Sequence, residues 1–279
     1  MAPVTRICML NADIPVPNVF AKRAPTYGRI FHQLLARASP NITIQSMDFD
    51  VMKDQYPSSL ESFDAIIISG SANSAYDDQP WIRTLEAYIR NVYLHHPCVK
   101  IFGSCFGHQI MCQSLLKKHG VRVEKDPKGW EIGVQEVKLH ERFLRAFREG
   151  GTRLDENMRL QFVHHDHVVI PDMESLPAEW MAVGSTDHCA VQGVYEPGRV
   201  LTLQGHFEFD RFVNNECIKY FFGSDWDQDR LDEALKAIDA DDDSKTAAAM
   251  ILVFFLEKGV DVIGANYGVA GGLLTPPDE

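Results

Sequence analysis

The chain has no paired C-x-x-C cysteines, no run of basic residues and no apolar stretch long enough to cross a bilayer, and each absence closes off a class of function. Its six cysteines stand singly at 8, 98, 105, 112, 189 and 217. That spacing gives no support to a zinc ribbon or a thioredoxin-like site. It reads as a reducing, cytoplasmic setting without a disulfide framework. Basic residues number 27 against 39 acidic, a net charge of −12, so broad nucleic-acid binding is not expected. The most apolar segment, 247–256, is far short of the roughly 20 residues a spanning helix needs. It reads as a buried helix, and no membrane partner is expected. The opening MAPVTRICMLNADIPVP lacks a charged leader followed by a long apolar core, so no signal peptide is expected. There is no internal repeat and no heptad array.

What remains is an ordinary globular composition, 45% hydrophobic and 24% charged over 279 residues. That is enough for one large domain or two small ones with a sizeable core. Residues 4–10 read as a strand, 27–38 as a helix with Ile30, Leu34 and Leu35 on one face, 42–47 and 65–69 as strands, and 81–93 as a helix introduced by Pro80. A short buried strand at 98–102 and a helix at 108–118 follow. This alternation predicts an α/β fold, a mainly parallel central sheet with helices on both faces. Beyond residue 120 the short runs 121–123, 132–139, 159–163, 181–183, 190–195 and 200–203 read as extra antiparallel strands folding back on that sheet, before a helix at 209–221.

From residue 223 the composition turns acidic. Leu231, Leu235 and Ile238 fall at helical spacing, and a second helix is expected at 247–258. The reading is therefore a domain over 1–222 and an acidic helical C-terminal extension over 223–279, with a frayed end at 264–279.

The most informative stretch is VKIFGSCFGHQIMCQ. Gly103-Ser104-Cys105-Phe106-Gly107 joins a strand to a helix, the cysteine form of the nucleophile elbow. A tight strand-to-helix turn pushes its central side chain out of the sheet. The helix N-terminus beside the sulfur favours thiolate over thiol. Cys105 is thus the candidate nucleophile, whereas Cys8, Cys98, Cys112, Cys189 and Cys217 read as packing residues.

A cysteine nucleophile needs a base, a group to orient it and donors for the oxyanion. In LTLQGHFEFD, a strand ends near His206 and Glu208 follows two residues later. On an extended segment those two point to one side, so Glu208 can fix the His206 tautomer while the imidazole faces the thiol. The small-residue loop Gly70-Ser71-Ala72-Asn73-Ser74 follows a parallel strand and can present N–H groups at the sheet edge where open α/β folds bind ligands. The N–H of Phe106 is the expected second donor.

Three motifs in this order, the S-G-S-x-x-S loop, G-S-C-F-G-H-Q and Q-G-H-x-E, make residues 4–222 resemble class I glutamine amidotransferases. The resemblance implies a flavodoxin-like, nucleophile-elbow architecture. It implies that Cys105 attacks a γ-glutamyl carbonyl to form a thioester, that His206 shuttles protons and that Glu208 orients it. The N–H groups of the Gly70-Ser71 turn and of Phe106 would hold the oxyanion, and Gln109 would help bind the glutamyl end. No cofactor and no metal are implied. The loop has Gly70-Ser71-Ala72 in place of two glycines and a proline, and His206-Phe207-Glu208 stands in place of His-Pro-Glu. These departures resemble a stand-alone branch that includes plant γ-glutamyl peptidases, as do Ser74-Ala75-Tyr76-Asp77, Trp130-Glu131-Ile132-Gly133 and Asp166-His167-Val168.

The expected activity is hydrolysis of a small γ-glutamyl compound such as a γ-glutamyl peptide or a glutathione conjugate. Two alternatives stand beside it: a glutaminase supplying ammonia to a separate synthetase or acceptor enzyme, and a non-catalytic binding protein. His164-His165-Asp166-His167 invites a metal reading, but alternate residues of an extended segment face opposite sides, so a loop at the site mouth is expected instead. Trp81 and Trp130 read as packing residues. Asp239 and Asp241-Asp242-Asp243 read as a solvated helix junction.

Overall fold

The computed structural model describes residues 3–149 and 154–257. In chain order its strands are β1 (Val4–Asn11), β2 (Thr43–Asp50), β3 (Ala65–Ile68), β4 (Lys100–Ser104), β5 (Arg122–Lys125), β6 (Glu131–Leu139), β7 (Asn157–His164), β8 (Asp166–Val169), β9 (Met181–Ala182), β10 (Gly184–Ser185), β11 (Val194–Glu196) and β12 (Val200–Leu203). Its helices are α1 (Pro17–Lys22), α2 (Tyr27–Ala38), α3 (Pro80–His95), α4 (Phe106–Leu116), α5 (Glu141–Glu149), α6 (Arg211–Phe222), α7 (Gln228–Ile238) and α8 (Ser244–Leu256).

The central sheet has seven strands in the order β2-β1-β3-β4-β12-β11-β9. The first five run parallel, and β11 and β9 add antiparallel pairings at one edge. Strand β3, with the sequence AIII, is buried along its whole length, as a strand covered on both faces must be. Alternation along β1 and β3 divides the interior. Ile7, Met9, Ala65 and Ile67 enter one core with α2 and α8, while Cys8, Leu10, Ile66 and Ile68 enter the other with α3 and α4. Helix α2 starts at Thr26, whose hydroxyl accepts from the Arg29 N–H at 3.2 Å.

The second half differs from the sequence expectation in its pairing. Only β9 and β11 join β12 in the central sheet. Strands β6, β7 and β10 form a separate three-stranded sheet, and β5 and β8 a two-stranded ribbon. Strand choice depends on which face finds a partner, and local pattern does not specify that partner. The run 190–195 is a strand only from Val194 on. Helix α5 stands where the sequence pattern predicts no helix, although Phe143, Leu144 and Phe147 lie at helical spacing and are buried. Cys98, read as a packing residue, is exposed.

After residue 222, α7 packs on β6 and α6. Helix α8 lays Ala247, Ala248, Ile251 and Phe254 into the core it shares with α2. The acidic junction is tied down: Asp243 accepts from the Arg159 N–H at 2.8 Å, and Arg211 reaches both Asp239 and Asp241. The expected frayed end, 264–279, lies outside the described residues. Among the described residues no helix is long and apolar enough to cross a membrane.

Candidate active site

The turn between β4 and α4 is built by two glycines and one strained cysteine. Cys105 has φ 51° and ψ −106°, a left-handed region that non-glycine residues adopt at a cost of order 1–3 kcal/mol and mostly at functional sites. A Cβ on Gly103 would come within 2.5 Å of the Gly107 backbone, and one on Gly107 within 2.4 Å of the Ile68 carbonyl oxygen. Only glycine allows the chain to fold this closely. The Cys105 N–H donates to the Leu203 carbonyl at 2.9 Å, and its carbonyl accepts from the Gln109 N–H at 3.0 Å. The side chain therefore stands at the α4 N-terminus, 6% exposed.

Strand β12 runs beside β4 with Leu203 opposite Ser104, which delivers His206 to the same sheet edge. The His206 N–H donates to the Gln161 carbonyl at 2.8 Å, and the imidazole stacks on Phe209 with centroids 3.9 Å apart. Its Nδ1 lies 2.7 Å from Glu208 Oε1. Ser104 Oγ donates to the same carboxylate, 3.0 Å from Oε1 and 3.2 Å from Oε2. Cys105 and His206 converge over Gly70: a Cβ there would lie 2.9 Å from His206 Cε1 and 3.6 Å from Cys105 Cβ. Burial alone would lower the imidazole pKa. The Glu208 carboxylate and the Cys105 sulfur outweigh it, and the imidazole is held well above its ordinary value.

The loop after β3 is fixed by side chains. Ser69 Oγ accepts from the Ala12 N–H and Asp13 Oδ2 from the Ala72 N–H, at 2.9 and 2.8 Å. Gly70, Ser71 and Asn73 thereby line a cleft of about 320 Å³ together with Cys105, Gln109 and His206. Phe106 is the first residue of α4, so its N–H is among the donors without an intrahelical partner. Its ring packs on Trp81 at 5.5 Å.

The opposite wall comes from the β7–β8 connection and α6, through His164, His165, Asp166, Phe221 and Phe222. Gln109 Nε2 donates to the Asp166 carbonyl at 2.9 Å and to Gln204 Oε1 at 3.1 Å, so its amide nitrogen braces this wall. His164 is buried between Glu131, 2.8 Å from Nε2, and the Asp166 carbonyl, 2.9 Å from Nδ1. Burial pushes the Glu131 carboxyl up, but His164, Thr186 and Gln192 hold it below its ordinary value. The residues of His164-His165-Asp166-His167 do not converge. His164 meets Glu131, His165 meets Asp166, and His167 turns to Asp126. Trp130 is not simply core: half-buried, it contacts His165 and Phe222 with centroids 4.3 and 4.6 Å away and lines the cleft.

Sequence reasoning missed Ser104, Asp13, Glu131 and Phe209. Ser104, inside the elbow motif itself, had a signal in its position beside the nucleophile. The others belong to segments distant in sequence that meet only through topology.

The family model described as glutamine amidotransferase class-I matches residues 26–222. A glutamine amidotransferase-like protein of Schizosaccharomyces pombe is 31% identical over 260 residues, covering 90% of this chain and 98% of that one. Gamma-glutamyl peptidase 2 of Arabidopsis thaliana is 28% identical over 174 residues, 61% of this chain and 64% of that one. The crystal structure of a glutamine amidotransferase from Thermotoga maritima superposes with a TM-score of 0.58 at 18% identity, covering 90% of this chain and 96% of that one.

Proposed function

Because the chain belongs to the class I glutamine amidotransferase family, we propose that it hydrolyses a γ-glutamyl amide bond, with Cys105 as nucleophile, His206 as proton shuttle and Glu208 as its orienting acid. The observation that carries this reading is that Cys105 and His206 line the cleft side by side and that His206 is backed by Glu208 at 2.7 Å and Glu208 by Ser104 at 3.0 Å.

Cys105 Sγ, as thiolate, attacks the γ-carbonyl carbon, and its electron pair becomes the new C–S bond. The carbonyl π pair moves to oxygen, where the N–H groups of Phe106 and the Gly70-Ser71 turn stabilise it. The oxyanion collapses, the C–N bond breaks, and the His206 imidazolium gives its proton to the departing nitrogen. The neutral imidazole then takes a proton from water, whose oxygen attacks the thioester. Glutamate leaves and the sulfur recovers its electron pair. Glu208 steadies the imidazolium at each stage.

The cleft size suits a small substrate. Asp13 and Asp166 complement the α-ammonium of a glutamyl group, and Trp130, Phe221 and Phe222 offer an apolar side to the leaving portion. γ-Glutamyl peptides or glutathione conjugates are the class we propose, a reading supported by the similarity to a protein named as a gamma-glutamyl peptidase. The six free cysteines suit a reducing compartment such as the cytoplasm.

The test is glutamate release by the purified protein alone, from a panel of γ-glutamyl dipeptides and a glutathione conjugate, with free glutamine in parallel. Release from the panel exceeding that from glutamine is expected. Turnover of glutamine only, stimulated by a synthetase or acceptor enzyme, would move the assignment to an ammonia donor.

A further inference from the structure

Behind the cleft wall, on the face that β8 turns away from the active site, lies a second group of chemically distinctive side chains. Asp126 follows β5. His167 lies on β8, opposite Glu124 in the ribbon register. His188 and Cys189 occupy the loop between β10 and β11. One ligating atom from each of Asp126, His167 and Cys189 lies within 4.8 Å of the others. Asp126 Oδ2 is 3.1 Å from His167 Nδ1 and 3.6 Å from His188 Nε2.

The polar accounting at this spot is incomplete. Asp126 is 3% exposed. Its Oδ1 accepts from the Lys128 N–H at 2.8 Å, and its N–H donates to the His165 carbonyl at 2.7 Å. Its Oδ2 lies between His167 Nδ1 and His188 Nε2 without a well-formed hydrogen bond; the buried His188 Nε2 is likewise unpaired, and so is His167 Nε2 on the Glu124 side of its ring. Buried polar atoms normally find partners. Here two unpaired ones, Asp126 Oδ2 and His188 Nε2, meet beside a buried cysteine, whose thiol has only a long 3.6 Å contact to the Val191 carbonyl.

We propose that Asp126, His167, His188 and Cys189 form a site for one divalent transition-metal ion of the zinc class, separate from the catalytic cleft. One carboxylate, two imidazoles and one thiolate form the mixed N/O/S set that four-coordinate zinc accepts. Carboxylate and thiolate together match the dipositive charge, and the thiol proton leaves to solvent on binding. Bonds of about 2.0–2.3 Å place tetrahedral ligands about 3.3–3.8 Å apart; the 3.1 and 3.6 Å contacts of Asp126 with His167 and His188 are close to that range, Cys189 draws in from within 4.8 Å, and His188, outside that compact set of three, turns toward it. The site has an outer shell. With Nδ1 toward the ion, His167 Nε2 faces Glu124 at 3.9 Å, the carboxylate–histidine–metal arrangement that fixes a ligand's orientation. Lys128 Nζ donates to the carbonyls of Asp187 and His188 at 2.9 and 2.7 Å, holding the loop that carries two of the ligands. Both histidines keep partial exposure, which leaves a path for entry.

The ion would tie the β5–β8 ribbon to the 186–189 loop directly behind His165 and Asp166. Its role is structural, and it rests on observations independent of the catalytic reading.

The test uses the full chain with Cys105→Ala and Cys98→Ala, so that neither the elbow sulfur nor the exposed one contributes. The chelator-treated protein is titrated with Co²⁺, then with Zn²⁺. One equivalent of Co²⁺ with intense visible bands of tetrahedral coordination and a thiolate-to-metal charge-transfer band is expected, displaced by Zn²⁺. Adding Cys189→Ser removes the charge-transfer band, and adding Asp126→Asn weakens binding at least about tenfold. Zn²⁺ raises the melting temperature of the parent, with a shift that Asp126→Asn removes. No stoichiometric binding, weak octahedral bands, or a thiolate band that survives Cys189→Ser would overturn the site. Should a ligand variant fail to fold, the presence or absence of the stoichiometric thiolate band and the Zn²⁺ shift in the parent decides the matter.

Discussion

Nδ1 of His206 sits 2.7 Å from Oε1 of Glu208, and the carboxylate is clasped in turn by the Ser104 hydroxyl one residue before the nucleophile. The elbow therefore carries both the sulfur and the group that steadies the acid of its own base. Glu208→Gln keeps the shape but loses the charge, and kcat should fall on the order of 10²–10⁴-fold. Ser104→Ala removes one hydrogen bond to a charged group, worth about 1.5–3 kcal/mol, and should lower kcat less than Glu208→Gln with KM unchanged. Steady-state kinetics on a γ-glutamyl peptide check both, and a KM effect without a kcat effect would remove Ser104 from this role.

Gly70 is where the cleft has no room to spare. A methyl group there would press to 2.9 Å from His206 Cε1. Gly70 is buried, so the imidazole must shift to admit a methyl group, and Gly70→Ala should lower kcat at least tenfold, about 1.4 kcal/mol of barrier. Unchanged turnover would mean that the imidazole has freedom the close contact denies it.

His108 and His206 respond to pH in opposite directions. Burial, with His164 nearby, pushes His108 down to about 3 from its ordinary 6.5. Between those values the unfolded chain takes up a proton that the folded one refuses, so stability is full above pH 6.5 and declines as pH falls, on the order of 1 kcal/mol per pH unit. Denaturant unfolding from pH 7 to 4 should show that slope, and His108→Gln should flatten it. His206 is raised, so its contribution is full below 6.5 and is lost as pH rises toward its elevated value. Its imidazolium form, and the activity that uses it, should persist above pH 6.5. An alkaline limb centred at the ordinary imidazole value would contradict the coupling to Glu208 and Cys105.

Helix α8 buries Met250, Ile251, Leu252, Phe254 and Phe255. At about 1.5–3 kcal/mol for each large apolar side chain, removing them approaches the whole stability of a domain, about 5–15 kcal/mol. A chain ending after Asp243 should fail to give a cooperative unfolding transition, and Phe254→Ala alone should cost about 3–5 kcal/mol. A truncated chain that melts cooperatively at the same temperature would show that the helix is dispensable.

The parts legible in the sequence are those whose signal is local. The elbow announces itself by two glycines around a cysteine between an apolar strand and a helix, and His206 and Glu208 by their spacing on an extended segment. The parallel half of the sheet follows from strand–helix alternation. What stayed hidden depends on partners distant in the chain. Nothing near residue 131 says that Glu131 will meet His164, or that β6 and β7 will pair apart from the main sheet. Nothing around 126, 167 and 188–189 says that side chains from three separate segments will meet at one spot. Trp130 reads as core because tryptophan is highly buried on average, and its place on the cleft rim comes from α6 packing behind it through Phe222.

The central claim is that Cys105 is the sulfur that takes the glutamyl group. It is tested most directly by incubating the protein with a glutamine-analogue electrophile and locating the adduct by peptide mass spectrometry, with and without a competing γ-glutamyl peptide. The account predicts one stoichiometric adduct on Cys105, prevented by the peptide and absent from Cys105→Ser. An unmodified Cys105, or labelling confined to the exposed Cys98, would contradict it.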